Sequence, residues 1–323
     1  MTNKDVADNI VEPSAQLNLY GYENYFESFV KLYNKNKLPN VILLSGPRGA
    51  GKCTFAYHFI NFLLSKGEKD LYSTINSEIH PNNKSFRLMS ENIHPNFFLL
   101  NHTSDEVSVK VEKVRSLLKF LNNSTYSKDI KIVLIDNAEK LNINSGNALL
   151  KSLEEPMNKT FFLIVHDNSC KIPDTIRSRC LEFRIFHSFD DKRKILKKIF
   201  NQYNKKINFD SISEKIFFDT PGNILRYFFF FGSKEIDSSS DHLTCINYLL
   251  EEYKAKKDHQ LLNFASFFIE MFYNDLSLMN KNRLNIYSFN KSQIINQIAN
   301  LKKFNLDKTN SFIMINKILY NEK

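Results

Sequence analysis

The stretch Gly46–Thr54, with the sequence Gly-Pro-Arg-Gly-Ala-Gly-Lys-Cys-Thr, has the composition of a phosphate-binding loop. Glycines let backbone N–H groups turn inward onto phosphate oxygens, and a helix that follows adds its positive end. Gly46, Gly49 and Gly51 would shape such a loop, and Lys52 would reach the outer phosphates. The stretch therefore predicts a phosphate site.

The residue that follows Lys52 is not the one that Mg²⁺-dependent ATP hydrolysis normally requires. Ser or Thr in that position normally holds Mg²⁺, whereas this chain has Cys53 there and Thr54 one residue later. A hydroxyl displaced by one residue along a helix points about 100° away. We expect a loop that binds phosphate but lacks the usual magnesium ligand, and we predict no metal site.

Asp136 is a second candidate for the same site, because it follows the apolar run 130–135. In a P-loop ATPase, an Asp at such a strand end steers Mg²⁺ through water, and a neighbouring Glu orients the attacking water. The neighbour here is Asn137, which can hydrogen-bond to a water but cannot accept its proton at neutral pH. The alternative is that Asp136 only caps the next helix.

A parallel sheet would bring these residues together. Strands are predicted at 41–44, 96–100, 130–135, 160–165 and 181–186. Helical patterns alternate with them, which implies a parallel sheet covered on both faces, with ligands at the carboxyl ends of the strands. Gly46 and Asp136 both fall at such ends, so we expect them to be neighbours.

Other segments carry weaker signals. The polar stretch 65–95 predicts an insertion or a pair of short helices. Beyond residue 186 the patterns are helical, and the last four lie around 246–253, 261–273, 288–304 and 309–320.

The bulk composition is that of a soluble globular protein of two or three domains, with 323 residues, 42% hydrophobic and 24% charged. The net charge of +9 is compatible with a nucleic-acid partner, but charge spread along a chain is more typical of a solvated surface. The four cysteines form no CxxC pair. This argues against a zinc module and fits a reducing cytoplasm.

The segment Thr175–Cys180, Thr-Ile-Arg-Ser-Arg-Cys, places two arginines at the end of a short predicted helix. They could simply be solvated. The alternative is an arginine finger, in which a guanidinium stabilises phosphate charge in a site that belongs to another subunit.

Four motifs together resemble the AAA+ clamp-loader family of bacterial DNA polymerase III, and they lie at 46–52, 135–142, 147–156 and 175–180. The resemblance covers roughly residues 17 to 235 by motif and the remainder only by its helical character. It implies a RecA-like AAA+ domain with a five-stranded parallel sheet over 1–186, a small helical lid over 187–236, and an all-helical collar domain for oligomerisation over 237–323.

Within this family the chain resembles the delta-prime branch more than the motor branch, called gamma or tau. Motors have a magnesium-binding hydroxyl where this chain has Cys53, a Glu at Asn137, a Thr or Asn at the strand end occupied by His166-Asp167, and a lid arginine at Gly222. Delta-prime sequences also share the Arg177 that precedes Ser-Arg-Cys, and the chain has no four-cysteine zinc module.

The resemblance implies a subunit that assembles with motor (gamma/tau) and delta subunits to load a sliding clamp on primer-template DNA. Arg179 would be donated to ATP in a neighbouring motor subunit, and Ser178 and Cys180 would position it. The chain's own degenerate site would hold ATP or ADP with weak or absent hydrolysis and without zinc. The alternative is an autonomous AAA+ ATPase motor of the gamma/tau type.

Overall fold

The computed structural model describes residues 10–102, 108–123, 130–203, 214–232, 241–304 and 308–320. The chain divides into two compact units, Met1–Ile207 with Phe217–Arg226, and Asn208–Ile216 with Tyr227–Lys323. The three-domain division stays a prediction, and its boundary at 236/237 lies outside the described residues.

A five-stranded sheet organises the first unit. Its strands are β1 (Val41–Gly46), β2 (Phe97–Leu100), β3 (Lys131–Ile135), β4 (Thr160–Asp167) and β5 (Leu181–Arg184). All neighbouring strands are parallel, in the order β2-β3-β4-β1-β5. The predicted RecA-like five-stranded parallel sheet is thus confirmed. The last strand ends two residues earlier than predicted, before the exposed Phe186.

Helices cover both faces of this sheet. The helices that begin in the first unit are α1 (Glu23–Asn34), α2 (Lys52–Leu64), α3 (Lys84–Ser90), α4 (Val111–Asn122), α5 (Ile143–Glu154), α6 (Asp174–Arg177), α7 (Phe189–Gln202) and α8 (Pro221–Gly232). Because successive strand residues face opposite sides, Ile42 and Leu44 join the core formed with α1 and α2. Val41 and Leu43 join the core formed with α4 and α5.

Strand register brings the predicted site residues to one edge. Gly46, at the end of β1, lies opposite Asp167 of β4, and Ile135 of β3 lies opposite Ile164 of the same strand. Asp136 therefore follows β3 at the edge where the loop 46–54 begins. Both residues thus lie at the carboxyl edge of the sheet, as expected, with β4 between their two strands.

The polar stretch 65–95 contains one α-helix, α3, rather than a pair. Asn83 organises the stretch although its side chain is fully buried. Its Oδ1 accepts hydrogen bonds from the Phe86 N–H at 2.7 Å and from Asn61 Nδ2 at 2.8 Å. Its Nδ2 donates to the Asp70 carbonyl at 2.6 Å.

The second unit is helical, as predicted. Besides the end of α8 it contains α9 (His242–Lys256), α10 (His259–Met279), α11 (Leu284–Phe304) and α12 (Lys308–Tyr320). Aromatic rings contribute to its core, since Tyr227 stacks on Phe267 with ring centroids 5.3 Å apart.

Among the described residues, no helix is long and apolar enough to cross a membrane. No group of three or more His, Cys, Asp and Glu side chains in the same ranges could hold a metal ion.

Candidate phosphate-loop site and arginine turn

The loop between β1 and α2 has the backbone of a phosphate cradle. Gly49 and Gly51 adopt left-handed φ angles of +82° and +91°, a conformation that favours glycine. Gly51 is the N-cap of α2, whose first residue is Lys52. The positive end of the helix therefore opens directly onto the loop.

Lys52 folds back onto this loop. Its Nζ donates to the carbonyls of Gly46 and Pro47, both at 2.7 Å. Burial lowers the pKa of Lys52, and the carboxylates of Asp167, Glu139 and Asp136 partly oppose that shift.

The first turn of α8 also contacts the loop. The Thr220 hydroxyl donates to the Arg48 carbonyl at 2.8 Å, and the Gly222 N–H donates to the Gly49 carbonyl at 2.8 Å. A Cβ on Gly222 would lie 2.7 Å from that same oxygen. A side chain at position 222, such as the arginine of motor subunits, would therefore require the two backbones to separate.

Two further residues hold the end of the loop. The Tyr22 hydroxyl donates to the Ala50 carbonyl at 2.8 Å, and His187 Nε2 lies 3.1 Å from the same oxygen. Tyr22 also leaves little room beside Gly51, where an added Cβ would lie 3.3 Å from its ring. The carbonyls of the loop are thus satisfied from several directions by the protein itself.

The Cys53 thiol and the Asp136 carboxylate lie close enough to interact where the magnesium ligands would be expected. Burial, together with the charge of Asp136, raises the pKa of the Cys53 thiol well above its usual value. Burial likewise raises the pKa of Asp136. Thr54 is partly buried in the same turn of α2, with its side chain about 100° around the helix from Cys53.

These observations fit a phosphate group and do not fit Mg²⁺. The glycine cradle and the helix end match phosphate oxygens. Mg²⁺ requires hard oxygen ligands in near-octahedral geometry. The Cys53 thiol supplies no hard oxygen where the usual hydroxyl would be, because its sulfur is a soft and weak ligand.

The residues at the ends of β3 and β4 also differ from those of a site that hydrolyses ATP. Asn137 is left-handed with φ 56°, and it precedes a short 3₁₀ turn. Glu139 in that turn is committed to β4, because its Oε2 accepts the Asp167 N–H at 3.2 Å and lies 3.9 Å from His166 Nδ1. Burial lowers the pKa of His166, which favours its neutral form.

Arg179 lies at a different place, in the turn between α6 and β5. Its Nε donates to Glu154 Oε1 at 2.7 Å, and its Nη2 donates to the same oxygen. Its Nη1 donates to the Thr175 carbonyl at 2.6 Å. The side chain is 28% exposed.

The neighbours of Arg179 support this turn. The Cys180 thiol donates to the Ile176 carbonyl at 3.1 Å, and burial raises the pKa of Cys180 to about 12. The Ser178 hydroxyl donates to the Thr175 carbonyl at 3.3 Å. Arg177 instead pairs with Glu182 at 2.8 Å.

The sequence did not indicate several of these contacts. Tyr22, His187 and Thr220 touch the loop from positions that are 28, 137 and 172 residues away from their loop partners. No local pattern marks them. Glu154 belongs to a motif that the sequence singled out, but its pairing with Arg179 was not predicted.

Comparison with known proteins gives one family model, described as "DNA polymerase III, delta subunit", which matches residues 21–188. A DNA polymerase III subunit delta' from Pseudomonas aeruginosa is 34% identical over 140 residues, or 43% of this chain and 41% of that protein. A DNA polymerase III subunit gamma from Buchnera aphidicola is 31% identical over 218 residues, or 66% of this chain and 56% of that protein. The matches span about half the length of these curated relatives.

A solved structure with a similar chain path is a DNA polymerase III gamma subunit-related protein from Thermotoga maritima. The alignment covers 92% of this chain and 99% of that chain, with 12% identity and a TM-score of 0.48.

Proposed function

Because this chain belongs to the DNA polymerase III delta subunit family, we propose that it is a delta-prime type subunit of a replicative clamp loader. It acts as a stator-like subunit that does not turn over ATP. In the cytoplasm it assembles with motor (gamma/tau) and delta subunits, and the complex loads a sliding clamp on primed DNA.

The observation that carries this proposal is the Cys53–Asp136 pair. A thiol replaces the magnesium hydroxyl and lies beside the carboxylate that would steer the ion. Sulfur is a soft ligand, and burial raises the pKa of both groups, so this position lacks the hard oxygen pair that Mg²⁺ needs.

The α8 contact supports the same conclusion. Gly222 approaches the loop backbone so closely that any side chain there would push the two backbones apart. A cation aimed at phosphate from this position would stabilise the charge that develops in phosphoryl transfer. The chain supplies none from that residue.

The loop itself keeps a binding role. Its N–H groups, the end of α2 and Lys52 would hold the phosphates of ATP or ADP. When bound, the nucleotide supplies anionic oxygens for the cradle, and the chain's residues bind and orient it without completing hydrolysis.

Arg179 is the residue through which this chain acts on ATP hydrolysis. It is ordered by four hydrogen bonds, partly exposed, and located away from the chain's own loop motif. We propose that it is donated in trans to ATP in an adjacent motor subunit, where its planar fork stabilises phosphate charge.

An autonomous ATPase motor of the gamma/tau type is the second candidate, and the similarity to a gamma subunit over 66% of this chain favours it. The two functions differ in where hydrolysis occurs. The motor turns over ATP in its own loop, whereas the proposed subunit needs a partner.

Two measurements test the proposal. The purified chain is assayed for ATP hydrolysis with Mg²⁺, and it is mixed with motor and delta subunits and examined by gel filtration with nucleotide analysis of each component. We expect negligible turnover by the isolated chain and co-elution with both partners. Turnover at the rate of an isolated motor subunit, or failure to co-elute, would contradict the proposal.

A further inference from the structure

Glu154, in the last turn of α5, is the anchor of Arg179. One carboxylate oxygen accepts from both Nε and Nη2, and the Nε contact is 2.7 Å long. On the other side, Nη1 donates to the Thr175 carbonyl at 2.6 Å and lies 3.4 Å from Ser178 Oγ. The guanidinium is therefore held from two directions rather than extended freely into solvent.

This arrangement leaves donors for a further ligand. A guanidinium has five N–H groups, and the three short contacts use one on each nitrogen. The second N–H of Nη1 donates to Ser178 Oγ at the longer distance of 3.4 Å, so one N–H is left on Nη2. A phosphate that takes the Nη2 N–H and replaces the long Ser178 contact on Nη1 would complete a bidentate fork.

Packing between α5 and α6 builds the pair. Ile176 is 1% exposed, and it lies over Gly146, where an added Cβ would be 3.5 Å from its Cδ1. This contact fixes the turn of α6 against the helix that carries Glu154. Two motifs whose key residues are 25 positions apart therefore form one structure.

We propose that Glu154 is a positioning residue for Arg179, and that it orients the guanidinium so that its terminal edge faces a phosphate of the adjacent subunit. The inference rests on the proposed function, in which Arg179 acts in trans. An exposed ion pair adds little to folding stability. Without this anchor the arginine side chain would lose more rotamer freedom when it docks on the phosphate. We therefore expect the pair to affect the rate of ATP hydrolysis rather than the stability of the fold.

The test uses the reconstituted complex with motor and delta subunits and its DNA-stimulated ATPase. Misplacing a catalytic contact by about 1 Å can cost up to about 100-fold in rate, so we expect Glu154→Ala to lower kcat by about 10- to 100-fold with little change in KM. Glu154→Gln keeps an acceptor oxygen and should recover part of the rate. The control is Glu155→Ala, at the exposed next residue, which should match wild type.

Two further readouts separate positioning from a structural role. Glu154→Ala should shift the Tm of the isolated chain by no more than about 3 °C, because the pair is exposed. In an Arg179→Ala background it should cause no additional loss of rate, since both changes remove the same interaction. An additional loss would overturn the positioning role.

The outcomes distinguish this inference from the function on which it rests. A normal or faster rate with Glu154→Ala, while Arg179→Ala is slow, refutes only the role of Glu154. A normal rate with Arg179→Ala refutes the donation in trans itself, and the inference fails with it.

Discussion

Replacing Gly222 with alanine tests whether the close backbone contact between α8 and the phosphate loop determines the residue type at this position. The new Cβ would lie 2.7 Å from the Gly49 carbonyl oxygen and 3.0 Å from Gly49 Cα. Both are backbone atoms, so no rotamer change relieves the overlap. Gly222 does not have a left-handed φ, and alanine therefore brings no backbone strain of its own.

The size of the effect follows from these distances. Ordinary contact begins at 3.4 Å, so the gap must widen by about 0.7 Å, which is 3.4 minus 2.7. The Gly222–Gly49 hydrogen bond at 2.8 Å would stretch to the limit of such a bond. Overpacking costs about 1–3 kcal/mol and a lost hydrogen bond about 1 kcal/mol, while Gly→Ala in a helix returns up to about 1 kcal/mol. We expect a net loss of about 2–3 kcal/mol.

Chemical denaturation monitored by circular dichroism measures this loss. The matched control is Gly146→Ala, because Gly146 is also helical and an added Cβ would meet only the Ile176 side chain at an ordinary 3.5 Å. The control should be neutral or stabilising by up to about 1 kcal/mol. Equal unfolding free energies for the two variants would refute the reasoning.

Three further predictions concern buried polar groups. Burial lowers the pKa of His58 to about 3, so the unfolding free energy of the wild type should fall as the pH drops below the ordinary histidine pKa of 6.5. In urea unfolding between pH 6.5 and 4, His58→Gln should lose less of this free energy. An equal dependence of the unfolding free energy on pH in both proteins would contradict this. Burial raises the pKa of Asp136 above 3.8, so Asp136→Asn should raise the Tm at pH 7, with a gain that shrinks towards pH 3.8; a lower Tm at pH 7 would show that the charge is stabilised after all. Asn83→Ala removes the cap of α3 and leaves buried partners without their bonds, which should cost about 2–4 kcal/mol in denaturant unfolding. The exposed Asn82→Ala is its control, and a similar loss there would contradict the network.

Sequence reasoning succeeded where the signal is local. The loop glycines need positive φ or close backbone approach, and such requirements show in the residue types themselves. Alternation of apolar runs and amphipathic helices predicted the sheet, because strand and helix periods differ. Asp136 followed from its position at a strand end.

It failed where contacts join distant segments. The sequence indicates that a lid arginine is missing at Gly222, but it does not show why the position is a glycine. The reason is the close approach of the Gly49 carbonyl, which lies 173 positions earlier in the chain. The Glu154–Arg179 pair likewise depends on how α6 packs on α5. For the stretch 65–95 the sequence predicts an insertion or a pair of short helices, whereas one helix forms, because its order comes from side-chain hydrogen bonds around Asn83, which have no sequence period.

The most direct test of the central claim is the DNA-stimulated ATPase rate of the reconstituted clamp loader with Arg179→Ala in this chain. Removing an arginine finger costs about 10³- to 10⁵-fold at the site it serves. We therefore expect the total ATPase rate to fall by the fraction that the motor site next to this subunit contributes to it. The control is Arg177→Ala. Arg177 pairs with Glu182 of β5, so this variant should match wild type. An unchanged rate with Arg179→Ala would contradict the account.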